Sequence, residues 1–480
     1  MAGKMSFHSF GNKMKRLIVI LGFALLQVMC SSGNYNTLMV KAEKAAYTDN
    51  NPLEASRVLI PNVNRKDQDQ LLFMMEAGYM LHAAKEYEKS NKILIAADQK
   101  ADELYKSVSK EVAAFVTNEI GKDYRGEDYE RILLNMTIGL NYLMLNDFEN
   151  AQVEFKKVNA KLGFIEEKSG KKYPLNLMAL YLSAVAHAAE GEAEYAYVEL
   201  KKLHAIQPGI PVVGAMLLSL AKELGYNDDV AQWSGLYKIR ETKNIKDKNN
   251  LVVIYESGLA PRKVSRGKLL NDPELKNMFN TAVAVAIATT SNARGVSNKL
   301  VLSTIETAEH PIPRYVKQNF ELSSARFDVL QNGKVVQSMN LLQFNDVENT
   351  IFTNFEQHYQ NIREKMITRL VTKVVATLVA KAAAEEGTRR AGGGMASLLV
   401  GTLAGAGVGA ALFASEKPDL RCWHSIPASY HATSLNLAPG KYEGKVAFLG
   451  KNGELIQEEN VTEFIVSADK PKVVHLRTYK

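Results

Sequence analysis

The feature that most constrains this chain is a spaced pattern of small and large residues in its N-terminal half. One segment carries Gly139, Tyr142, Asn146, Phe148, Ala151, Phe155 and Val158. A second carries Gly78, Leu81, Tyr87, Ser90, Leu94 and Ala97, and a third Ala184, His187, Gly191, Ala196, Leu200, Leu203 and Pro208. The order in each is a small residue, an apolar or aromatic one, a turn, a second small residue, then large apolar ones. Two small residues on successive helices let the axes approach, and the large residues fill the flanks. Each such helix pair leaves one face apolar, so neighbouring pairs must stack.

This pattern resembles the tetratricopeptide repeat, in which Gly78, Gly139, Gly191, Ala151, Ala196, Tyr142, Phe155 and Pro208 occupy packing, turn and stop positions. The spacing is irregular: Gly78 to Gly139 is 61 residues and Gly139 to Ala184 is 45. Extra helix such as Asp98–Thr117 is therefore expected between repeats. Half-motifs at Asn51–Leu59 and Ala215–Trp233 are expected to complete or cap the array, giving a helical repeat domain over residues 30–245. Repeats of this kind bind protein partners on a concave face. His82, His187 and Tyr142 are read as packing residues, not ligands.

Residues 1–29 have the make-up of an export signal: Lys4, Lys13, Lys15 and Arg16 without an acid, then the apolar run Leu17–Leu26. That run is too short to span a bilayer. Cys30 follows it, as in a lipobox, where the thiol takes diacylglycerol and the chain is cut before it. Gln27 and Met29 depart from the usual aliphatic and small residues of such a box. An ordinary signal peptide cut after Ser32, or an uncleaved anchor, is the competing reading. Removing the four basic residues takes the net charge from +7 to +3. Over a chain of 480 residues with no dense basic cluster, that excludes nucleic acid as a partner. Cys30 and Cys422 are the two cysteines, which excludes a disulfide scaffold and any cysteine-rich metal module.

From Leu251 the pattern changes. Leu251–Glu256 is a β-branched apolar run, and Thr281–Thr290 alternates small and apolar residues as a half-buried strand does. Asn332-Gly333 and Asn452-Gly453 each sit between strand-like runs and predict hairpins. Strands in residues 250–345 and 415–480 are expected to form one discontinuous antiparallel sandwich. Between them, residues 346–414 predict a helix capped by Asp346, with a stripe of Ile351, Phe355, Ile362, Met366, Leu370, Val374 and Leu378. Ala391–Ala414 follows without a charge. Gly401, Gly405 and Gly409 stand four apart, which on a helix makes one smooth face for close helix–helix packing. A buried or oligomer-forming hairpin, a membrane-inserted helix and a flexible loop are all open for it. The mean hydropathy of −0.16 excludes a polytopic membrane protein. The fold class is thus α+β: an α-solenoid, then a split β domain with a helical insertion.

No H-E-x-x-H, G-x-S-x-G or G-x-x-x-x-G-K-[ST] motif occurs. Cys422, His424 and His431 match no standard zinc spacing, and Trp423 reads as an anchor for the return into the β domain. No catalytic, cofactor or metal residues are assigned. Tyr255–Pro261 (YESGLAP), the Ile362–Ala383 helix, the glycine-rich run, Asp419–Pro427 (DLRCWHSIP) and Leu437–Tyr442 (LAPGKY) together resemble a family of bacterial envelope lipoproteins with tetratricopeptide-like N-terminal helices. The resemblance implies a lipid-anchored protein of the outer membrane facing the periplasm, with an envelope-assembly role. The expected function is a non-enzymatic scaffold that binds envelope proteins and self-associates through Gly401, Gly405 and Gly409. The alternative is a pore component built from oligomerised glycine-rich helices.

Overall fold

The computed structural model describes residues 35–108, 122–169, 173–239, 250–289, 309–390 and 417–479. Cys30, the export signal expected at 1–29, the 391–414 run and its Gly401, Gly405 and Gly409 lie outside the described residues.

The helical half opens with α1 (35–43), which runs into a π-helical turn, Lys44–Thr48. Asn51 then caps α2 (Pro52–Leu59), its side chain accepting the Glu54 N–H at 3.0 Å. Four antiparallel pairs follow: α3 (Gln70–Ala83) with α4 (Tyr87–Val108), α5 (Asp128–Met144) with α6 (Phe148–Ser169), α7 (Leu177–Ala189) with α8 (Ala193–Ile206), and α9 (Pro211–Glu223) with α10 (Asn227–Tyr237). Up to Val108, the residues expected as an inserted helix simply continue α4.

The small residues stand where the axes cross. A Cβ on Gly78 would meet Leu94 at 2.4 Å, and one on Gly139 would meet Phe155 at 2.6 Å. Ser90, at a position where alanine is usual, donates its hydroxyl to the Gly78 carbonyl at 2.7 Å. Ala151, Ala196 and Phe155 are fully buried, whereas Tyr142 is only partly covered and Pro208 is exposed beyond the end of α8. The fourth pair repeats the device with Gly214 against the Tyr237 ring at 2.3 Å. All four inter-helix turns hold one residue at positive φ: Lys85, Asn146, Gly191 and Gly225. Left-handed backbone there reverses the chain within a few residues.

The strands of the second half build two four-stranded sheets. The first has the order β10 (Lys472–Thr478), β1 (Leu251–Ser257), β7 (Ser429–Leu435), β6 (Leu342–Asp346). The second has the order β5 (Lys334–Asn340), β4 (Ser324–Gln331), β8 (Gly440–Leu449), β9 (Leu455–Val466). A short ribbon pairs β2 (Arg262–Val264) with β3 (Arg314–Val316). Strands from both ends of this half interleave in each sheet. The expectation of purely antiparallel pairing fails at one place, where β1 runs parallel to β10.

β1 explains the layering. All seven of its residues are buried, as a continuous apolar run requires. Val252 and Ile254 join the helical core, while Leu251, Val253 and Tyr255 join Phe327, Val446 and Phe448 in the core between the sheets. The first sheet is therefore a wall, with repeat helices on one face and the second sheet on the other.

The strand expected at Thr281–Thr290 is not one. Through Thr289 these residues end α11 (Pro273–Thr289). The overlooked signals precede it: Asp272 accepts the Leu275 N–H at 3.0 Å as a cap, and Pro273 opens the first turn. The alternating alanines, good helix formers, then extend the helix. α11 packs Leu275 and Phe279 on Met366, Ile367 and Leu370 of α12 (Val347–Arg390). Asp346 caps α12 as expected, accepting the Asn349 N–H at 2.9 Å. Ile351 is buried, but Ile362 is 40% exposed, so the stripe is covered in part. Among the described residues, no helix is long and apolar enough to cross a membrane.

Candidate functional site

The first helices of the pairs line one face of the solenoid. In α3 every residue from Leu71 to His82 is buried. One side of α3 packs on α4; the other meets the first sheet and residues 417–428, which lead from α12 back into β7. A helix apolar all round is a buried helix. The acid in its sequence is Glu76, and α5 carries another, Glu130; both are fully buried.

These two carboxylates hold the return segment. The Trp423 N–H donates to Glu130 Oε1 at 2.7 Å, and the His424 N–H donates to Glu76 Oε1 at 2.6 Å. Glu130 also accepts the Glu127 N–H at 2.9 Å and the Tyr124 hydroxyl. The Trp423 ring stands edge-on to Tyr79, 5.8 Å between centroids, and its indole N–H donates to Ser425 Oγ at 3.0 Å. Upstream, the Arg421 guanidinium bonds both oxygens of Asp419, Asp69 Oδ1 at 3.2 Å, and the carbonyls of Gln68 and Lys122 at 3.3 and 3.1 Å. Across the third pair, Asn345 of β6 donates to the Leu175 carbonyl at 2.8 Å and accepts the Met178 N–H at 3.2 Å, occupying the start of α7.

Charge is concentrated at this seam. Burial, then the Glu127 carboxylate, lifts the Glu130 carboxyl to about 7 against the pull of Lys263 and the donors around it. For His424, burial favours the neutral ring, but the Cys422 sulfur and the Glu43 and Glu76 carboxylates outweigh it and raise its pKa to about 10. His424 Nδ1 lies 2.9 Å from Glu43 Oε1, which is in turn paired with Arg262 at 3.0 Å. His431 is not part of this group. It sits against Tyr255 with Nε2 2.8 Å from Ser429 Oγ, and burial lowers its pKa to about 4.

The sign of the pH dependence follows. His424 rises from 6.5 to about 10 on folding, so its contribution is full below pH 6.5 and is lost as pH rises through about 10. Glu130 rises from 4.5 to about 7, so it too favours the folded state at the acid end and ceases to as pH rises through 7. Thermal unfolding followed by circular dichroism should show stability falling between pH 6.5 and 10 by about 5 kcal/mol. His424→Gln should flatten that limb, and an unchanged slope in the variant would refute the assignment.

Two clefts, of about 420 and 270 Å³, open beside the segment and share Glu127 and Asp419. Among their charged groups, Lys263 pairs with Glu127 and Arg421 with Asp419. Cys422 is buried at 1% exposure. Large apolar side chains are left in solvent on the outward helices, Val153 and Phe164 on α6, Tyr195, Val198 and Ile206 on α8 and Leu236 on α10, and also on β5 and β9, where Val335, Val336, Leu455, Ile456 and Ile465 are exposed.

Sequence reasoning named Gly78, Gly139 and Trp423, but not Gly214, nor the roles of Glu76, Glu130, Arg421 or Asn345. The available signal was an isolated acid inside an otherwise apolar helix, as in Met74-Met75-Glu76-Ala77.

No protein-family model and no curated protein matches the chain. Among solved structures it is similar to MamA of AMB-1, at 12% identity and a TM-score of 0.29, covering 44% of this chain and 97% of that one. It is also similar to a Podospora anserina putative kinesin light chain with tetratricopeptide-like repeats, at 12% identity and a TM-score of 0.30, covering 43% and 93%. A tetratricopeptide repeat protein of Parabacteroides merdae gives 13% identity and a TM-score of 0.20, covering 43% and 80%.

Proposed function

We propose that this chain is a non-enzymatic protein-binding scaffold of the bacterial envelope, held to the outer membrane by a lipid on Cys30. The observation that carries the scaffold reading is the occupied seam. The face of the first helices, where repeats of this type hold partners, seats the chain's own return segment and first sheet. A partner on that face would compete with the chain's own contacts. A partner is left the outward face of α6, α8 and α10, where Phe164 is 50% and Tyr195 63% exposed. Two or three acyl chains on Cys30 would hold the protein stably to a bilayer. Gly401, Gly405 and Gly409 would bring copies together.

Crosslinking in native membranes tests the surface. Tyr195→Lys with Val198→Lys should abolish a partner that the unaltered chain captures, with melting temperature unchanged. Capture undiminished by both changes would refute the outward face. Cys30→Ala tests the anchor. The variant should become extractable by carbonate, and retention in the bilayer would favour the pore alternative instead.

A further inference from the structure

Away from the return segment, three side chains from three elements meet at the wall between helices and first sheet. His82 ends α3, Glu256 lies on β1 and His475 on β10. All are buried, at 0%, 0% and 5% exposure. We propose that His82, Glu256 and His475 form a site for a zinc-type divalent cation, which clamps the repeat helices to the first sheet.

The distances fit. His82 Nε2 lies 3.3 Å and His475 Nε2 3.4 Å from the same oxygen, Glu256 Oε2. A tetrahedral ion with bonds of about 2.0–2.1 Å sets its ligand atoms about 3.3–3.4 Å apart. The three ligand atoms all lie within 4.8 Å of one another. Tyr79, whose hydroxyl donates to Glu256 Oε2 at 2.6 Å, orients the carboxylate. Three protein donors would hold the ion, with the fourth tetrahedral position left to a water.

The polar bookkeeping points the same way. His82 Nε2, His475 Nε2 and Glu256 Oε1 are buried without a hydrogen bond, a state that costs about 1–3 kcal/mol per group. The tautomer of His82 is fixed from behind. Asn141 gives its amide hydrogens to Ser90 Oγ at 2.9 Å and Asn91 Oδ1 at 2.7 Å, so its oxygen, 2.6 Å from His82 Nδ1, accepts the ring N–H. With Nδ1 so engaged, Nε2 is the ring atom that faces Glu256 Oε2. A ligand histidine that gives its other N–H to an oxygen acceptor is the usual outer-shell arrangement. Arg477 Nε is 3.9 Å from the same carboxylate, but its guanidinium is held by the carbonyls of Glu256, Gly258, Ser425 and Thr478. It does not depend on Glu256 for its partner.

The test uses the full chain, dialysed against chelator and titrated with Co²⁺. One equivalent should give the intense visible absorption of a tetrahedral site, and Zn²⁺ should displace it. Zn²⁺ should also raise the melting temperature, and chelator should reverse the rise. Asn141→Ala, which leaves all the ligands in place, should weaken binding about 10- to 100-fold. His82→Gln with His475→Gln should abolish it. Should that double variant fail to fold, the cobalt spectrum of the unaltered chain and the Asn141→Ala shift still decide. No tetrahedral band and no zinc-dependent melting shift would overturn the site, leaving a proton-bridged pair. A band that persists in the folded double variant would overturn it equally.

Discussion

Arg421→Ala should cost roughly 3–5 kcal/mol of unfolding free energy, the range for removing one partner of a buried ion pair. The arginine is 12% exposed and serves two carboxylates, Asp419 and Asp69, of which Asp69 is 2% exposed. Removing it strands both acids and two backbone carbonyls. Its charge is what holds Asp419 below the usual carboxylate range against burial, so the variant should also take up protons at higher pH. Arg421→Lys keeps the charge but cannot reach Asp419, Asp69 and both carbonyls together, so most of the loss should remain. Urea unfolding of the three chains measures this, with limited proteolysis at residues 417–428 as a local readout. A midpoint for Arg421→Ala within about 0.5 kcal/mol of the unaltered chain would show that the segment is seated without it.

What the sequence revealed and what it hid divide along a physical line. Local features were legible. Leu251–Glu256 reads as a strand from its β-branched apolar run, and it is one. Asn332-Gly333 turns a hairpin with both residues at positive φ. Gly139 and Phe155 show their pairing through repeat spacing alone. Features that need distant partners were not legible. Glu76 and Glu130 look like any helical acids until the return segment, some 300 residues on, supplies the N–H groups they accept. His82, Glu256 and His475 share no local motif, because three separate elements bring them together. The parallel pairing of β1 with β10 leaves no trace in either strand. Thr281–Thr289 was misread for a different reason. Its alternation satisfies a strand and its alanines satisfy a helix, and the Asp272-Pro273 cap settled the matter upstream.

The seam also changes what the repeats do for the chain. A solenoid whose pairs touch only their neighbours is stabilised one interface at a time. Here Asn345, Glu256 and residues 421–424 tie the first three pairs to one sheet, so the helical half should not unfold repeat by repeat from its first pair. Damage inside one pair should therefore be felt across the whole seam.

Gly139→Ala is the sharpest case. The added Cβ would fall 2.6 Å from Phe155 Cε1 and 2.9 Å from Cζ, closer than carbon atoms pack. Phe155 is a fully buried ring, so relief requires the α5–α6 axes to part. Overpacking of this kind costs about 1–3 kcal/mol and occasionally more. The seam places Gly139 at the high end, because α5 also carries Glu130 beneath Trp423. Alanine's better helix propensity returns less than about 1 kcal/mol. Phe155→Ala alone should cost about 3–5 kcal/mol through the cavity it leaves. Combined with Gly139→Ala, it should cost less than the sum of the two, since the clash disappears with the ring. Chemical unfolding of the single and double variants gives the coupling directly. Strict additivity would mean that the glycine is not held by Phe155, and the close-packing account of the repeat would fail at its best-matched pair.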